Sequence, residues 1–174
     1  MRDENTENRF ETIVCQAEEK DHRALLKFTL DEAIEAEGRA CDQSLISEAI
    51  KAALCDPEEK ARYFIARSRV KTEVCSEVSL DQASGHVSVV KEWSDWNKAY
   101  YLWITSMYVA PFARGQGVMG ALLEAVDDYA RALGSPEVRI YVHRENMRGS
   151  KAWIREGFVE APYWMGHREV KPKT

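Results

Sequence analysis

The sequence predicts a mixed α/β domain, with one sheet and helices on its faces. Three observations carry this. Strand-like and helix-like patterns alternate in the order strand, two helices, several strands, helix, strand, helix, strand. Residues 116–133 show the clearest helical period, with Met119, Leu122, Val126, Tyr129 and Leu133 at steps of three and four. Residues 100–109, YYLWITSMYV, are bulky throughout, as in a central strand covered on both faces.

Taken in order, RFETIVCQA (9–17) alternates and is rich in β-branched residues, so it reads as a strand. A helix follows over 21–38, with Ala24, Leu25, Phe28, Leu30 and Ile34 near helical spacing and Gly38 as its stop. QSLISEAIKAAL (43–54) predicts a second helix, ended by DPEE. Strands are predicted over 61–70 and 71–80, followed by a polar turn containing Gly85. HVSVVKEW (86–93) is the next strand, SDWNKA a loop, and 100–109 the central strand. Gly134 and Pro136 stop the long helix. EVRIYV is a short buried strand, SKAWIREG a short helix closed by Gly157, and 158–170 has room for two more strands.

The 174 residues fit a single domain spanning 1–174. Hydrophobic residues at 45% and charged residues at 30% support a folded core. A net charge of −5 argues against a nucleic-acid partner, which calls for a basic face. No apolar run is long enough to cross a bilayer, and MRDENTENRF lacks the apolar stretch of a signal peptide. Cys15, Cys41, Cys55 and Cys75 show no C-x-x-C spacing and read as reduced thiols of a cytoplasmic protein. The four histidines are scattered, none at ligand spacing from a cysteine, so no metal site is expected.

Chemistry concentrates at YVAPFARGQGVMGALLEAV (108–126). Pro111 ends the strand because it cannot donate a ladder hydrogen bond. Gly115 and Gly117 allow torsions and close approach that a Cβ would block. A helix start leaves main-chain N–H groups without intrahelical partners, and with the helix dipole these make an anion site. Arg114 adds a forked cationic donor. The alternative is an ordinary glycine-rich turn with an exposed arginine. GQGVMG also matches the G-x-G-x-x-G dinucleotide pattern, with Glu137 downstream. That pattern alone is weak: APFAR separates the glycines from the strand, and too little chain follows for the usual nicotinamide-binding fold.

VAPFARGQGVMGALL resembles the V-x-P-x-x-R-G-x-G-[IV] signature of the Gcn5-related N-acetyltransferases. EWSDWNKAYYLWITSMYV upstream is similar to a branch of that family. RIYVHRENMRGSKAWIREGF downstream resembles its strand, N-x-x-A and short helix ending in G-F. The resemblance covers about residues 87–158; the first 80 or so fit by element order alone. It implies a mixed, mostly antiparallel sheet that splays at the cofactor strand, flanked by about four helices. It also implies acetyl-CoA as cosubstrate and direct attack of a primary amine on the thioester, with no covalent enzyme intermediate.

By the same resemblance, Arg114, Gly115, Gln116, Gly117, Val118, Met119 and Gly120 wrap the diphosphate. Met119 departs from the family's small residue and must point its side chain away. The backbone of Met107, Tyr108 and Val109 pairs with the pantetheine arm like an added strand. Asn146 matches an asparagine that contacts the same arm; a helix cap is its alternative role. Trp153 stands where many relatives place an acidic tyrosine, and an indole N–H is not a useful acid. Tyr163 could supply that hydroxyl, with Tyr141 and Tyr108 as weaker alternatives. Glu92 and Asp95 are candidates for the base or for anchoring a cationic acceptor. His143 is a weaker candidate; Trp93, Trp96 and Trp103 suit the core or an acceptor wall.

Residues 31–60 hold nine acidic and three basic side chains. The resemblance places the first two helices beside the acceptor cleft, and an acidic rim there implies a small-molecule or peptide amine as acceptor; solvated helix faces would have the same composition. Pairing through a sheet edge is common in the family and allows a homodimer. The competing class is a non-catalytic acyl-CoA-binding module, which the Trp153 departure favours.

Overall fold

A computed structural model describes residues 10–70 and 82–170. The strand predicted over 71–80, and Cys75 with it, lies outside the described residues. The chain order is β1 (Phe10–Gln16), α1 (His22–Glu37), α2 (Gln43–Cys55), β2 (Arg62–Val70), β3 (Gln82–Ser94), β4 (Ala99–Val109), α3 (Val118–Leu133), β5 (Val138–Ile140) and α4 (Met147–Arg155). Single 3₁₀ turns precede α1 (Glu19–Asp21) and follow β4 (Pro111–Ala113). Among the described residues the strands form one sheet in the order β1-β2-β3-β4-β5. The first three pairings are antiparallel and β4–β5 is parallel. This is the predicted mixed, mostly antiparallel sheet with four flanking helices among the described residues.

The two faces of the sheet follow the period of two along each strand. Phe64, Ala66, Val87, Val89, Leu102 and Ile104 meet Val118, Leu122 and Val126 of α3 on one face. Ile65, with Tyr63 beside it, meets Leu25 of α1 and Ile50 of α2 on the other. Caps set the helix ends. The Asp42 carboxylate accepts the N–H groups of Ser44 and Leu45 at 2.8 and 3.2 Å. Gly38 and Gly134 close α1 and α3 in the left-handed region, at φ 64° and 65°.

Two expectations are corrected. Gly85 is not in a turn: it lies within β3, opposite Val109. A Cβ there would stand 2.7 Å from the Tyr108 carbonyl oxygen and 3.4 Å from Leu122. The glycine is therefore needed for close approach, a use of glycine inside a strand that resembles a turn signal in sequence. Residues 158–170 form no strand. Val159, Tyr163, Trp164 and Met165 are exposed there, and Phe158 alone of that stretch packs on the core.

Irregular pairing shapes β4. Ser88 pairs with Ser106 and Val89 with Ile104, so Thr105 is an extra residue, a β-bulge. Among the described residues β5 pairs only with Leu102, Trp103 and Ile104, while β4 runs on to Val109. The sheet therefore opens between β4 and β5 beyond Ile104.

Gly85→Ala should destabilise the fold by about 1–3 kcal/mol, because the clash is with backbone. Urea denaturation of the variant against the parent chain measures it.

Candidate active site at the opened edge of the sheet

The opened edge leads directly into the glycine-rich turn. Pro111 starts the 3₁₀ turn after β4, Arg114 is extended, and Gly115 and Gly117 take φ of 75° and 80° before α3 begins. Both conformations suit glycine. Nothing lies within 4 Å of where a Cβ would stand at either glycine. Among the described residues, none accepts a hydrogen bond from the main-chain N–H of Gly115, Gln116, Gly117, Val118, Met119 or Gly120. The ladder of α3 resumes with Ala121 donating to the Gly117 carbonyl at 3.0 Å. Six consecutive donors at a helix start are the physical requirement for binding a clustered anion. The Met119 side chain packs against the core, away from these N–H groups. Gln116 folds back, its Nε2 donating to the Phe112 carbonyl at 2.9 Å. The Glu156 carboxylate approaches the same turn, 3.7 Å from a notional Cβ at Gly120.

Along β4, alternate residues bond to β3. Ala110 donates to the Ser84 carbonyl at 2.9 Å, and Tyr108 shares its side. Met107 and Val109 turn their main-chain groups the other way. The Met107 N–H donates to Glu32 Oε1 at 3.1 Å, and the Val109 carbonyl accepts from Arg114 Nε at 2.8 Å. The opened edge thus offers main-chain groups to side chains and to nothing strand-like, which suits an extended ligand with amide groups.

α1 lines this edge with carboxylates. Leu25 and Phe28 are buried, and Glu32 and Glu35 continue the same stripe at helical spacing. Glu32 accepts the Ser106 hydroxyl as well as the Met107 N–H. Burial pushes its carboxyl above the usual glutamate range, aided by the charge of Glu37 and opposed by those two hydrogen bonds. Glu35 accepts from the Tyr108 hydroxyl and from Arg114 Nη2, both at 2.6 Å, with Arg148 Nη1 at 3.9 Å. Its partial burial favours the neutral form, but the bonds from Tyr108 and Arg114 and the charges of Arg114 and Arg148 win and hold it below the usual range. Burial and the Glu35 bond push the Tyr108 hydroxyl up to about 12. The Arg114 guanidinium lies 5.4 Å above the Tyr108 ring.

Beneath Glu32, His86 of β3 is fully buried between Phe28 and Tyr63, ring centroids 5.8 and 6.0 Å away. Its Nε2 lies 3.3 Å from the Ser106 hydroxyl and 4.0 Å from Glu32 Oε2. Burial lowers its pKa from 6.5 to about 3, so it is neutral at physiological pH.

The other sequence candidates fall elsewhere. Glu92 accepts the Trp103 indole and Asp95 accepts the Trp93 indole at 2.8 Å, both at the far end of the β3–β4 hairpin. Glu92 pairs with Tyr101 in register, roughly 20 Å of strand before Met107. Trp96 at the hairpin tip is exposed. Tyr163 is 77% exposed, and no described residue hydrogen-bonds its hydroxyl. Trp153 packs on the core, edge-on to Phe158 at 5.1 Å. Asn146 caps α4, its Oδ1 accepting the Gly149 N–H at 2.8 Å. His143 is exposed, and Tyr141 contacts Trp103. Glu32, Glu35, Ser106, His86 and Arg148 were not picked out from sequence. The readable signal was two glutamates at core-facing positions of α1.

The family model of the acetyltransferase (GNAT) family matches residues 30–158. With that match over most of its length, the chain belongs to the GNAT acetyltransferase family. Solved structures share its fold. A possible acetyltransferase from Clostridium difficile 630 has 24% identity and a TM-score of 0.78, covering 92% of this chain and 98% of its own. The aminoglycoside N-acetyltransferase AAC(6')-Iy in complex with CoA has 15% identity and a TM-score of 0.72, covering 92% and 95%. A ribosomal-protein-alanine N-acetyltransferase from Brucella melitensis biovar Abortus 2308 has 15% identity and a TM-score of 0.69, covering 92% and 100%. No curated protein matches the chain.

The buried histidine has a consequence for stability. Between pH 6.5 and about 3 the unfolded chain protonates His86 while the folded chain does not, so its contribution falls as pH drops through that window. A His86→Phe variant should lose less stability on acidification than the parent, by up to about 1.4 kcal/mol per pH unit. Denaturant titrations at pH 7, 5.5 and 4.5 would reveal the difference in slope.

Proposed function

We propose that the protein transfers an acetyl group from acetyl-CoA to a primary amine of a small molecule or peptide, by direct attack in a ternary complex. The observation that carries this is the run of six N–H groups at the start of α3 that have no partner among the described residues, contiguous with the opened edge of β4. The turn residues Arg114, Gly115, Gln116, Gly117, Val118, Met119 and Gly120 would hold the diphosphate. The main-chain groups of Met107 and Val109 would receive the pantetheine arm, with Tyr108 between them and Asn146 nearby in sequence to α4. Arg114 would reach a phosphate by exchanging its contact with the Glu35 carboxylate for one with the phosphate, trading one anion for another. When bound, acetyl-CoA supplies an activated acyl carbon with a thiolate leaving group. The chain supplies position and fixed donors. Tyr163 or solvent would protonate the thiolate.

Glu32 of α1, with no lysine or arginine within ion-pair distance among the described residues, makes the β4 end of the site acidic, which suits a cationic acceptor. Asp56 and Glu58 do not add to it, being paired with Lys60 and with Arg62 and Lys91. The aminoglycoside and ribosomal-protein-alanine acetyltransferases of similar fold suggest kanamycin and an alanine-leading peptide as first acceptors to try, and the acidic site adds the polyamine spermidine. The second reading, an acyl-CoA-binding module without turnover, is favoured by Trp153, which fills the family's tyrosine position with core packing.

Isothermal titration should show binding of acetyl-CoA and none of NAD. Arg114→Ala should weaken acetyl-CoA about tenfold, the worth of one charge-assisted hydrogen bond. Free-thiol release with the three acceptors separates an enzyme from a binding module. Absence of any coenzyme A binding would sink both readings.

A further inference from the structure

We propose that Glu32 is the group that takes the proton from the acceptor amine, an assignment that rests on the acetyl-transfer reading and deepens it. A chain of amides leading from the α3 turn back along β4 meets Val109, then Met107, and stops where β5 rejoins β4 at Ile104. Glu32 stands at that closed end. Its Oε1 holds the Met107 N–H at 3.1 Å and its Oε2 the Ser106 hydroxyl. Glu35 serves the other end, bonded to Tyr108 and Arg114. The two carboxylates are therefore differently equipped. Glu35 has two arginines. Among the described residues Glu32 has no lysine or arginine within ion-pair distance, and its neighbour His86 is neutral.

The groups facing Glu32 are His86 of β3, Tyr63 of β2, Ser106 and Met107 of β4, and Glu37 of its own helix. No described charged group of α2 acts on it. The environment is short of positive charge and partly shielded from water, which raises a carboxylate's proton affinity toward the range a general base needs. The side chain is still 25% exposed, so an acceptor can reach it. The pantetheine arm, on pairing with the Met107 N–H, frees Oε1 for the amine, while the Ser106 hydroxyl keeps the carboxylate in place.

The step balances. The cationic acceptor gives one proton to Glu32, exposing the nitrogen lone pair. That pair bonds to the acyl carbon as the C–S bond breaks, and sulfur leaves with the bonding electrons. The second N–H proton goes to solvent, the thiolate takes one from Tyr163 or solvent, and Glu32 returns its own to solvent.

The test compares the parent chain with Glu32→Gln and Glu32→Asp, using kanamycin and spermidine as probes. At pH 7, Glu32→Gln should lose about 100-fold in kcat, with KM for acetyl-CoA within about threefold. The deficit should shrink as pH rises and more amine is already neutral, and Glu32→Asp should recover part of the rate. Independently of turnover, the Glu32 carboxyl ¹³C resonance, assigned by its loss in Glu32→Gln, should titrate above the ordinary glutamate range in the protein without ligand. This titration needs only the parent fold and one assignment. A Glu32→Gln rate equal to the parent's, a deficit unchanged with pH, or an ordinary titration midpoint each overturns the assignment while acetyl transfer by the parent stands. A parent chain that acetylates no amine overturns the transferase reading and this assignment together.

Discussion

Thr105 has no residue opposite it in register on β3, and the site is built around that extra residue. Before it, Leu102 and Ile104 point to the α3 face; after it, Met107 and Val109 do. The change of parity sends Ser106 and Tyr108 toward α1, where their hydroxyls meet Glu32 and Glu35. A regular strand would have put Ser106 on the α3 face, in an apolar core with no acceptor for its hydroxyl. The bulge also sits one residue past the last β5 contact, so the strand bends where its outer neighbour leaves. Opening and reorientation thus share one cause.

Opening an edge in mid-sheet exposes main-chain groups, and exposed edges invite unwanted pairing. Here the edge is closed by side chains rather than by backbone. Glu32 takes the Met107 N–H and Arg114 the Val109 carbonyl. These are replaceable partners. A carboxylate and a guanidinium can swing aside for a ligand, whereas a strand cannot. The same logic holds for Arg114 and Glu35, which satisfy each other across α1 and the glycine turn.

The polar cluster under α1 departs from an apolar core in a controlled way. His86, Ser106, Ser88 and Thr105 lie where sheet and helix meet, joined by contacts of 2.9–3.3 Å. His86 is held neutral by burial and stacked between aromatic rings, so it can accept or donate one hydrogen bond without adding a charge. A cationic histidine would neutralise Glu32; a neutral one leaves that carboxylate alone with its two hydrogen bonds.

The order of helices and strands was written in local patterns: the period of 116–133, the capping Asp42, the terminal Gly38 and Gly134, and the apolar run of 100–109. So was the glycine turn, because positive φ and a helix start need particular residues next to each other. These features are local, and local chemistry determines them. The β-bulge, the length of the β5 pairing and the use of Gly85 were not legible, because each depends on what lies on a neighbouring strand. The same holds for the tail, where short apolar stretches suggest strands but pairing depends on a neighbouring segment. Glu32 and Glu35 look in sequence like part of an acidic helix face. Only tertiary packing, which lays α1 across β4 at the bulge, separates one carboxylate paired with arginines from one with no cation beside it among the described residues. Charge is read from sequence; the dielectric and the partners that decide what a charge does come from distant segments.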